Sequence, residues 1–236
     1  MRGATLGNIL TDFRSECRIS SNAAHNVGVR DRHIALLQRT QKWLWEDFDW
    51  PTLRVERWIQ VQAGQRYYAP PADMNIDRIQ KVELKDGGRF IPIVAGIDIE
   101  HYATYDPELD ERAYPPRRWR ISENEDIELW PIPDTNADDD TREGYVKLTG
   151  IRNLSTFVAE TDTADLDDQL IVLFAAAEEL AAIGAKDAEL KRVAARARYD
   201  KLRGAQMPRR VFSLLADRDE EYKRRRVLPN AIYRAS

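Results

Sequence analysis

The apolar residues of this chain change their spacing twice along the sequence, and these two changes constrain the fold more than any other feature. Before Leu53 they recur every three or four positions, as on one face of an amphipathic helix. Between Leu53 and about Glu160 they alternate with polar residues, as in strands that are buried on one side. From Thr163 the helical spacing returns. The order helix, strand, helix in one chain predicts an α+β fold.

Two helices are predicted in the N-terminal segment. The first is short, and the second covers about residues 32–47 with Asp31 as its N-cap. The second helix stops before Trp50-Pro51, because proline disfavours helical dihedral angles in the residue that precedes it. The apolar stripes consist of Leu6, Ile9, Leu10 and Phe13 in the first helix and of Ile34, Leu37, Leu44 and Phe48 in the second.

The middle segment is predicted to be a small antiparallel β module of six or seven strands. Glycine is present in the predicted turns at residues 63–65 and 86–88, and it adopts the positive φ that tight turns need. A first strand over residues 53–61 is expected to turn at residues 63–65 and to pair with a return strand over residues 66–69. Two further hairpins are expected to pair residues 79–85 with 89–94 and residues 119–121 with 127–130, and residues 145–151 form another strand.

A helical hairpin is predicted after the β module. Its first helix starts near Thr163, whose hydroxyl can cap the helix, and ends at Gly184. Its second helix covers residues 186–203 and closes at Gly204, with an apolar stripe on one face and basic residues on the other. The stripes of both helices are expected to pack against each other and against the N-terminal helices. The stripe of the second helix consists of Leu190, Val193, Ala194, Ala197 and Leu202.

These elements predict a helical bundle into which a β module is inserted. Residues 1–52 supply the two N-terminal helices of the bundle, and residues 53–160 form the inserted antiparallel β module. Residues 161–204 form the C-terminal helical hairpin, and residues 205–236 form an extended C-terminal tail. The N-terminal helices and the hairpin are expected to pack together, because neither can bury its apolar stripe alone.

The sequence has few of the histidine and cysteine side chains that supply nitrogen and sulfur ligands to metals. Cys17 is the one cysteine, and the three histidines are scattered, which is too few nitrogen and sulfur ligands for a zinc site. Residues 138–140 are aspartates, but they lack the alternating ligand spacing and the terminal glutamate of a calcium loop. No glycine-rich phosphate loop is present. We therefore expect no metal, no cofactor and no catalytic residue.

Charge and hydropathy exclude two further function classes. The net charge of −4 disfavours a general polyanion-binding protein. The longest apolar stretch, residues 170–177, is far shorter than the ~20 residues that a transmembrane helix needs, and no secretory signal is expected.

A cluster of carboxylates leaves one enzymatic alternative open. Glu123, Glu125, Asp126 and Glu128 lie close together in the sequence, and a glycosidase uses a pair of such groups. The four residues fall in and beside a predicted hairpin turn, where charged residues are common. The structural interpretation is therefore favoured over a hydrolase.

Four tryptophans cluster where the N-terminal helices meet the β module. Trp43, Trp45, Trp50 and Trp58 fit the irregular space between two packed layers, and core anchoring explains them best. The same residue types are enriched at protein interfaces, and they also stack on sugars. An interface and a carbohydrate-binding surface thus stay open as alternatives.

The C-terminal tail combines a basic block with apolar anchors. Such segments often become ordered when they bind a partner. The predicted binding residues are Lys223, Arg224, Arg225, Arg226, Val227, Leu228, Ile232 and Tyr233.

Two stretches of the sequence resemble the head-to-tail adaptor proteins (connector or head-completion proteins) of tailed bacteriophages, particularly the podovirus-like ones. The first is WLWEDFDWP at residues 43–51, and the second is AGQRYYAPPAD at residues 63–73. The second is similar to the Gly, Tyr, Leu-Pro, Asp turn of that family, although Ala69 stands in place of the leucine and two prolines replace one. The resemblance covers about residues 29–203.

The resemblance implies a structural virion protein that is made in the host cytoplasm and sits in the neck between head and tail. Twelve copies would form a homo-oligomeric ring under the portal protein, with a tail or nozzle protein below. Double-stranded DNA would pass through the lumen without sequence-specific binding, and the C-terminal tail would bind the portal. The alternative is a carbohydrate-binding module of a phage tail or host-recognition protein.

Overall fold

The computed structural model describes residues 2–20 and 28–206. Within these residues the chain is a mixed α+β protein with five α-helices and two four-stranded β-sheets. The helices are α1 (Leu6–Glu16), α2 (Arg30–Asp47), α3 (Ile99–Tyr102), α4 (Asp168–Ala182) and α5 (Ala188–Gln206). The strands are β1 (Arg54–Gln60), β2 (Tyr67–Tyr68), β3 (Met74–Asp86), β4 (Arg89–Pro92), β5 (Val94–Ala95), β6 (Arg118–Ile121), β7 (Ile127–Trp130) and β8 (Tyr145–Arg152).

Helix α4 is the central element of the helical group, which consists of α1, α2, α4 and α5. The other three helices all contact α4, and most of its side chains are apolar and buried. Asp167 caps its start, because the Asp167 carboxylate accepts the backbone N–H of Leu170 at 3.0 Å. Gly184 follows its end with a φ of +69°, the left-handed conformation that terminates helices. The first hydrophobic core lies around α4.

The two sheets enclose a second core. The first sheet has the order β1-β8-β3-β4, and the second has the order β2-β7-β6-β5. Gly150 in β8 faces a bulge in β3, where a Cβ atom would stand 2.9 Å from the Arg78 carbonyl oxygen, so a larger residue would push the strands apart. The core residues are Val61, Tyr68, Met74, Val82, Leu84, Ile93, Ile127, Leu129, Val146 and Leu148.

The strand pairing confirms two predicted hairpins and corrects the third. β3 pairs with β4, and β6 pairs with β7, as expected. β1 does not pair with residues 66–69, however, but with β8. The chain after β1 crosses to the second sheet, because the Ala63 and Gly64 N–H groups donate to Asn136 and to the Pro133 carbonyl oxygen at 2.8 Å each. The short strand β2 consequently pairs with β7.

One pair of strands departs from the antiparallel arrangement that the sequence predicted. β5 and β6 run parallel over two residue pairs. The chain between them contains α3 and a 3-10 turn at Pro107–Leu109, which gives it the length that a parallel connection needs.

The helix boundaries also differ from the predicted ones. α2 starts at Arg30, and neither Asp31 nor Val29 caps it through a side chain. Thr163 does not cap α4, because it forms a β-bridge with Thr5 and the helix begins only after Asp167. α5 starts at Ala188 and continues through Gly204 to Gln206.

The rotation of α5 is the largest difference from the prediction. Of the five residues in the predicted stripe, Leu190, Val193, Ala194 and Ala197 are exposed, and Leu202 is partly buried against the helical core. The buried residues of α5 are instead Ala195 and Tyr199. Polar contacts fix this rotation, as described below.

Three contacts between side chains set the rotation of α5. The Arg198 guanidinium donates to both oxygens of Asp167, at 2.6 and 2.8 Å, so it holds the start of α4. Lys191 pairs with Glu16 at the end of α1. The Tyr199 hydroxyl donates to Asp47 at the end of α2. Because these residues share one face of α5, the helix turns the opposite face outward.

Candidate interaction surfaces

Trp45 and Trp50 lie buried where the helical group meets the first sheet. The Trp50 indole N–H donates to the Leu44 carbonyl oxygen at 2.8 Å, and its ring contacts Phe48 and Tyr199 edge to face. The Trp45 indole N–H donates to the Arg152 carbonyl oxygen at 3.2 Å. A buried indole needs such a partner for its N–H. These two tryptophans therefore anchor the end of α2 between helices and sheet.

Arg78 in β3 adds a charged contact at the same junction. Its guanidinium lies 4.5 Å from the centre of the Trp45 ring, and it donates to the Trp45 carbonyl oxygen and to Asp49. Arg152 in β8 pairs with Asp165 just before α4. Arg78 of β3 and Arg152 of β8 thus connect the first sheet to the helical group at two points.

Trp43 lies on the surface, away from the junction. Its side chain is 47% exposed, and its ring contacts Phe174 of α4 at 5.2 Å between centres. It forms one wall of an apolar groove of about 490 Å³ between α2, α4 and α5, which we call the α2–α4 groove. The small side chains of Ala177 and Ala181 line the groove, and Arg39, Glu178 and Arg192 stand along its edge.

Trp58 lies in β1 of the first sheet, and its ring neighbours differ from those of the other three tryptophans. Its ring packs near Phe90 and Tyr145, at 5.8 and 6.4 Å between centres. The guanidinium of Arg142 lies 5.5 Å from the centre of the Trp58 ring. The ammonium of Lys147 lies 4.3 Å from the centre of the Phe90 ring. Cations of the same chain therefore lie beside both rings.

Glu128, a member of the predicted carboxylate cluster, is fully buried in β7. Its carboxylate accepts Arg66 Nε at 2.8 Å, Arg120 Nε at 2.6 Å and the Tyr102 hydroxyl at 2.9 Å. Burial alone would raise the pKa of Glu128, but the hydrogen bonds from Arg120, Arg66 and Tyr102 outweigh it and lower the pKa. A carboxylate that stays ionised cannot act as a general acid.

The other three carboxylates lie in the turn between β6 and β7. Glu123 and Glu125 are exposed, and Asp126 is partly buried. Since Glu128 is enclosed by cations and a tyrosine, the four carboxylates do not form the facing pair that a glycosidase requires. We call Glu128, Arg66, Arg120 and Tyr102 the Glu128 cluster; it ties β7 to β6 and to α3.

Within residues 2–20 and 28–206, no group of three or more His, Cys, Asp or Glu side chains is arranged to hold a metal ion. Cys17 is buried at the end of α1, and burial, followed by the charges of Glu179 and Glu16, raises its pKa to about 12. The Cys17 thiol is therefore unreactive at neutral pH. In the same ranges, no helix is both long and apolar enough to cross a bilayer.

The residues predicted to bind the portal, Lys223 to Leu228 with Ile232 and Tyr233, lie outside the described residues.

The exposed face of α5 is a candidate surface that the sequence prediction missed. Leu190 is 69% exposed and Val193 is 55% exposed, and Ala194 and Ala197 lie beside them. We call these four residues the α5 stripe. The sequence contained a signal for this surface, since Ala195 and Tyr199 place apolar groups on a second face of the same helix.

Comparison with known protein families finds a match that covers residues 4–228. The matching model is that of the SU10 adaptor protein, and it extends over nearly the whole chain. The chain belongs to the SU10 adaptor protein family. The matched range includes both sheets, all five helices and the basic block at residues 223–226. A search among curated proteins finds no match.

Membership of this family identifies the chain as an adaptor of the phage head–tail type, a structural component of the virion. The family is a structural one and not an enzyme class. The family does not favour the carbohydrate-binding alternative.

Proposed function

We propose that the chain is a head-to-tail adaptor that forms a ring of twelve copies under the portal protein. The ring would join the capsid to the tail, sit in the neck of the virion and line the channel through which DNA leaves. A downstream tail or nozzle protein would bind its lower face. The observation that carries the proposal is the family match over residues 4–228, which spans the folded elements and reaches into the tail.

The proposed division of labour follows the four segments of the sequence. Residues 1–52 and 161–204 would form a bundle of helices that builds the ring, and residues 53–160 would form an inserted module. The contacts of α1, α2 and α5 with α4 support a common helical unit. The separate core between the two sheets supports a module that packs by itself.

The C-terminal tail, residues 205–236, would reach the portal. Lys223, Arg224, Arg225 and Arg226 would pair with acidic groups there, and the apolar residues that follow would be buried against the portal. Val227, Leu228, Ile232 and Tyr233 are the proposed apolar anchors. A segment that binds in this way becomes ordered on its partner and makes several weak contacts. In a ring, many such tails bind at once, and avidity raises the overall affinity.

The charge of the chain suits a channel that lets DNA slide. Tight DNA binding requires many lysines and arginines that neutralise phosphates, and each such contact releases counterions. A chain with a net charge of −4 lacks the excess of basic residues that such binding needs. DNA would pass the ring without being held and without being read.

The proposal is tested by counting copies. Quantitative mass spectrometry of purified virions measures the amount of this chain relative to the portal protein. A ratio close to one is expected for a ring that matches the portal. Absence from virions, or the ratio of a trimeric fibre, would refute the adaptor.

The role of the tail is tested by a matched pair of charge reversals. The first variant combines Arg225→Glu with Arg226→Glu, and the control combines Arg209→Glu with Arg210→Glu in the same tail. The first is expected to weaken binding to purified portal at least about tenfold, since lost charge pairs leave partner groups unpaired. If both variants bind the portal as the wild type does, or weaken equally, the assigned residues are wrong.

A further inference from the structure

A histidine is buried where the first two helices of the helical group meet. His33 lies near the start of α2 and is 2% exposed. Its ring contacts the ring of Phe13 in α1 edge to face, at 5.1 Å between centres. In the part of the chain that the structure describes, the His33 Nδ1 atom has no hydrogen-bond partner. The imidazole therefore fills space between α1 and α2 much as an apolar aromatic ring would.

The charged groups around His33 disfavour a positive charge on its ring. Arg14 of α1 is 6% exposed, and its Nε atom also lacks a hydrogen-bond partner among the described residues. Arg32 precedes His33 on α2. The anion that acts on His33 is Glu179 of α4, but Arg32 Nη2 already donates to both of its oxygens, at 2.9 Å each. A protonated His33 would thus be buried near two arginines, while the carboxylate that could balance its charge is engaged.

These surroundings couple the protonation of His33 to the packing of the helices. Burial lowers the pKa of His33 below its ordinary value of about 6.5; Glu179 opposes this shift, whereas Arg14 and Arg32 add to it. The Cys17 thiol at the end of α1 stays neutral, because its pKa is raised to about 12. Since the folded pKa of His33 is lowered, the closed packing is favoured fully above about pH 6.5, and this advantage is lost as the pH falls through the folded value.

We infer that His33 is an acid-sensitive latch that holds α1 against α2 and α4. At neutral pH the uncharged ring packs on Phe13 and keeps the three helices together. In mildly acidic solution, protonation favours an open form in which α1 has separated from α2 and α4 and water surrounds His33. The latch is a property of the single chain, so it does not depend on the proposed ring or on the proposed contact with the portal.

Amide hydrogen exchange of the purified full chain tests the latch. Exchange is followed by mass spectrometry between pH 7 and pH 5, and each rate is corrected for the slower intrinsic exchange in acid. The opening equilibrium constant of the α1 amides is expected to rise below about pH 6.5, approaching tenfold per pH unit until the folded pKa is reached. The α1 amides are also expected to open more often than those of β7, because only the helices separate.

Three variants separate His33 from the other titrating groups. His33→Gln and His33→Phe remove the titrating ring, and the opening constant of α1 in each is expected to be the same at pH 7 and pH 5. His101→Gln, which changes a histidine in α3, is the matched control and should respond to acid as the wild type does. The readout is the pH dependence within each variant, so a general loss of stability does not imitate the expected result.

Several results would overturn the latch. A wild-type opening constant of α1 that is independent of pH would do so, as would an acid response that both His33 variants retain. Equal opening constants for α1 and β7 would show that the chain opens as a whole. If neither His33 variant folds, an NMR titration of the wild-type imidazole signals decides the question. A His33 signal that titrates clearly below pH 6.5 supports the latch, and one that titrates at or above this value contradicts it.

Discussion

The sheets and the helical group have cores of similar character, but they expose apolar residues in different ways. Between the sheets the apolar side chains are enclosed, and the exposed ones lie on edge strands, as Phe90 and Val94 do, or in the connection between β5 and β6, as Ile99 and Leu109 do. In the helical group, Leu190 and Val193 are exposed in the α5 stripe, away from the buried face of the same helix, and Trp43 is half-exposed in the α2–α4 groove. The two sheets thus enclose their core, whereas the helical group leaves an apolar stripe and a groove on its surface.

The polar contacts of the two regions differ in the same way. In the sheets, the Glu128 cluster uses three hydrogen bonds to fix strands around a buried carboxylate. In the helical group, Arg198, Lys191 and Tyr199 fix the rotation of α5 and so determine which face is presented. The polar contacts of the Glu128 cluster therefore hold the strands together, whereas those of α5 determine which face of that helix is exposed.

The same substitution in each region gives the largest expected contrast. Leu148→Ala empties a fully buried site between the sheets and should cost about 3 kcal/mol of unfolding free energy. Leu190→Ala shortens an exposed side chain on α5 and should cost less than about 0.5 kcal/mol. Urea denaturation of the monomeric chain measures both. Equal losses would mean that the α5 stripe is buried within one copy.

Removing the charge of Glu128 should have the next largest effect. Glu128→Gln leaves Arg66 and Arg120 without their carboxylate, and the free energy of unfolding is expected to fall by about 2 kcal/mol. This loss is smaller than for a fully buried ion pair, because Arg120 is partly exposed. Glu123→Gln in the adjacent turn is the matched control and should change stability by less than about 0.5 kcal/mol. Similar effects of both changes would show that the cluster does not stabilise the sheets.

The smallest expected effect concerns Asp167, which caps α4 and holds Arg198. Burial alone would raise the pKa of Asp167, but hydrogen bonds from Arg198 and the Leu170 N–H outweigh it and lower the pKa. Asp167→Ala should cost about 1 kcal/mol at neutral pH. Because the folded pKa is lowered, this stabilisation is complete above the ordinary pKa of about 3.9 and is lost as the pH falls through the folded value.

Denaturation at several pH values checks the Asp167 prediction. The difference between wild type and Asp167→Ala should be constant near neutral pH and should shrink below about pH 4. A difference that grew toward acid would contradict the assigned ionisation.

The element types could be predicted from the sequence because they depend on local spacing. The apolar periodicity located the four long helices and the hairpins β3–β4 and β6–β7, whose turns are short. The pairing of β1 with β8 could not be predicted, because the two strands are far apart in the chain and the choice depends on long-range hydrogen bonds at Ala63 and Gly64.

Which residues are exposed at the candidate surfaces was also hard to predict, because exposure depends on contacts between distant segments. The tryptophans were identified by type, but only the structure separates the buried Trp45 and Trp50 from Trp43 and Trp58. The outward face of α5 depends on Asp167, Glu16 and Asp47, which lie on three other segments. A helix with apolar residues on two faces does not reveal which face is buried.

The measurement that tests the central claim most directly compares two valines in assembled virions. Val193 on α5 and Val94 on β5 are 55% and 56% exposed, so Val193→Asp and Val94→Asp are matched in chemistry and exposure. The number of copies per portal is counted by mass spectrometry in virions made with each variant. Val94→Asp should keep the ratio of the wild type, and Val193→Asp should lose most of its copies if the helical group builds the ring. Incorporation of Val193→Asp at the wild-type ratio would contradict the claim that the helical group joins the copies.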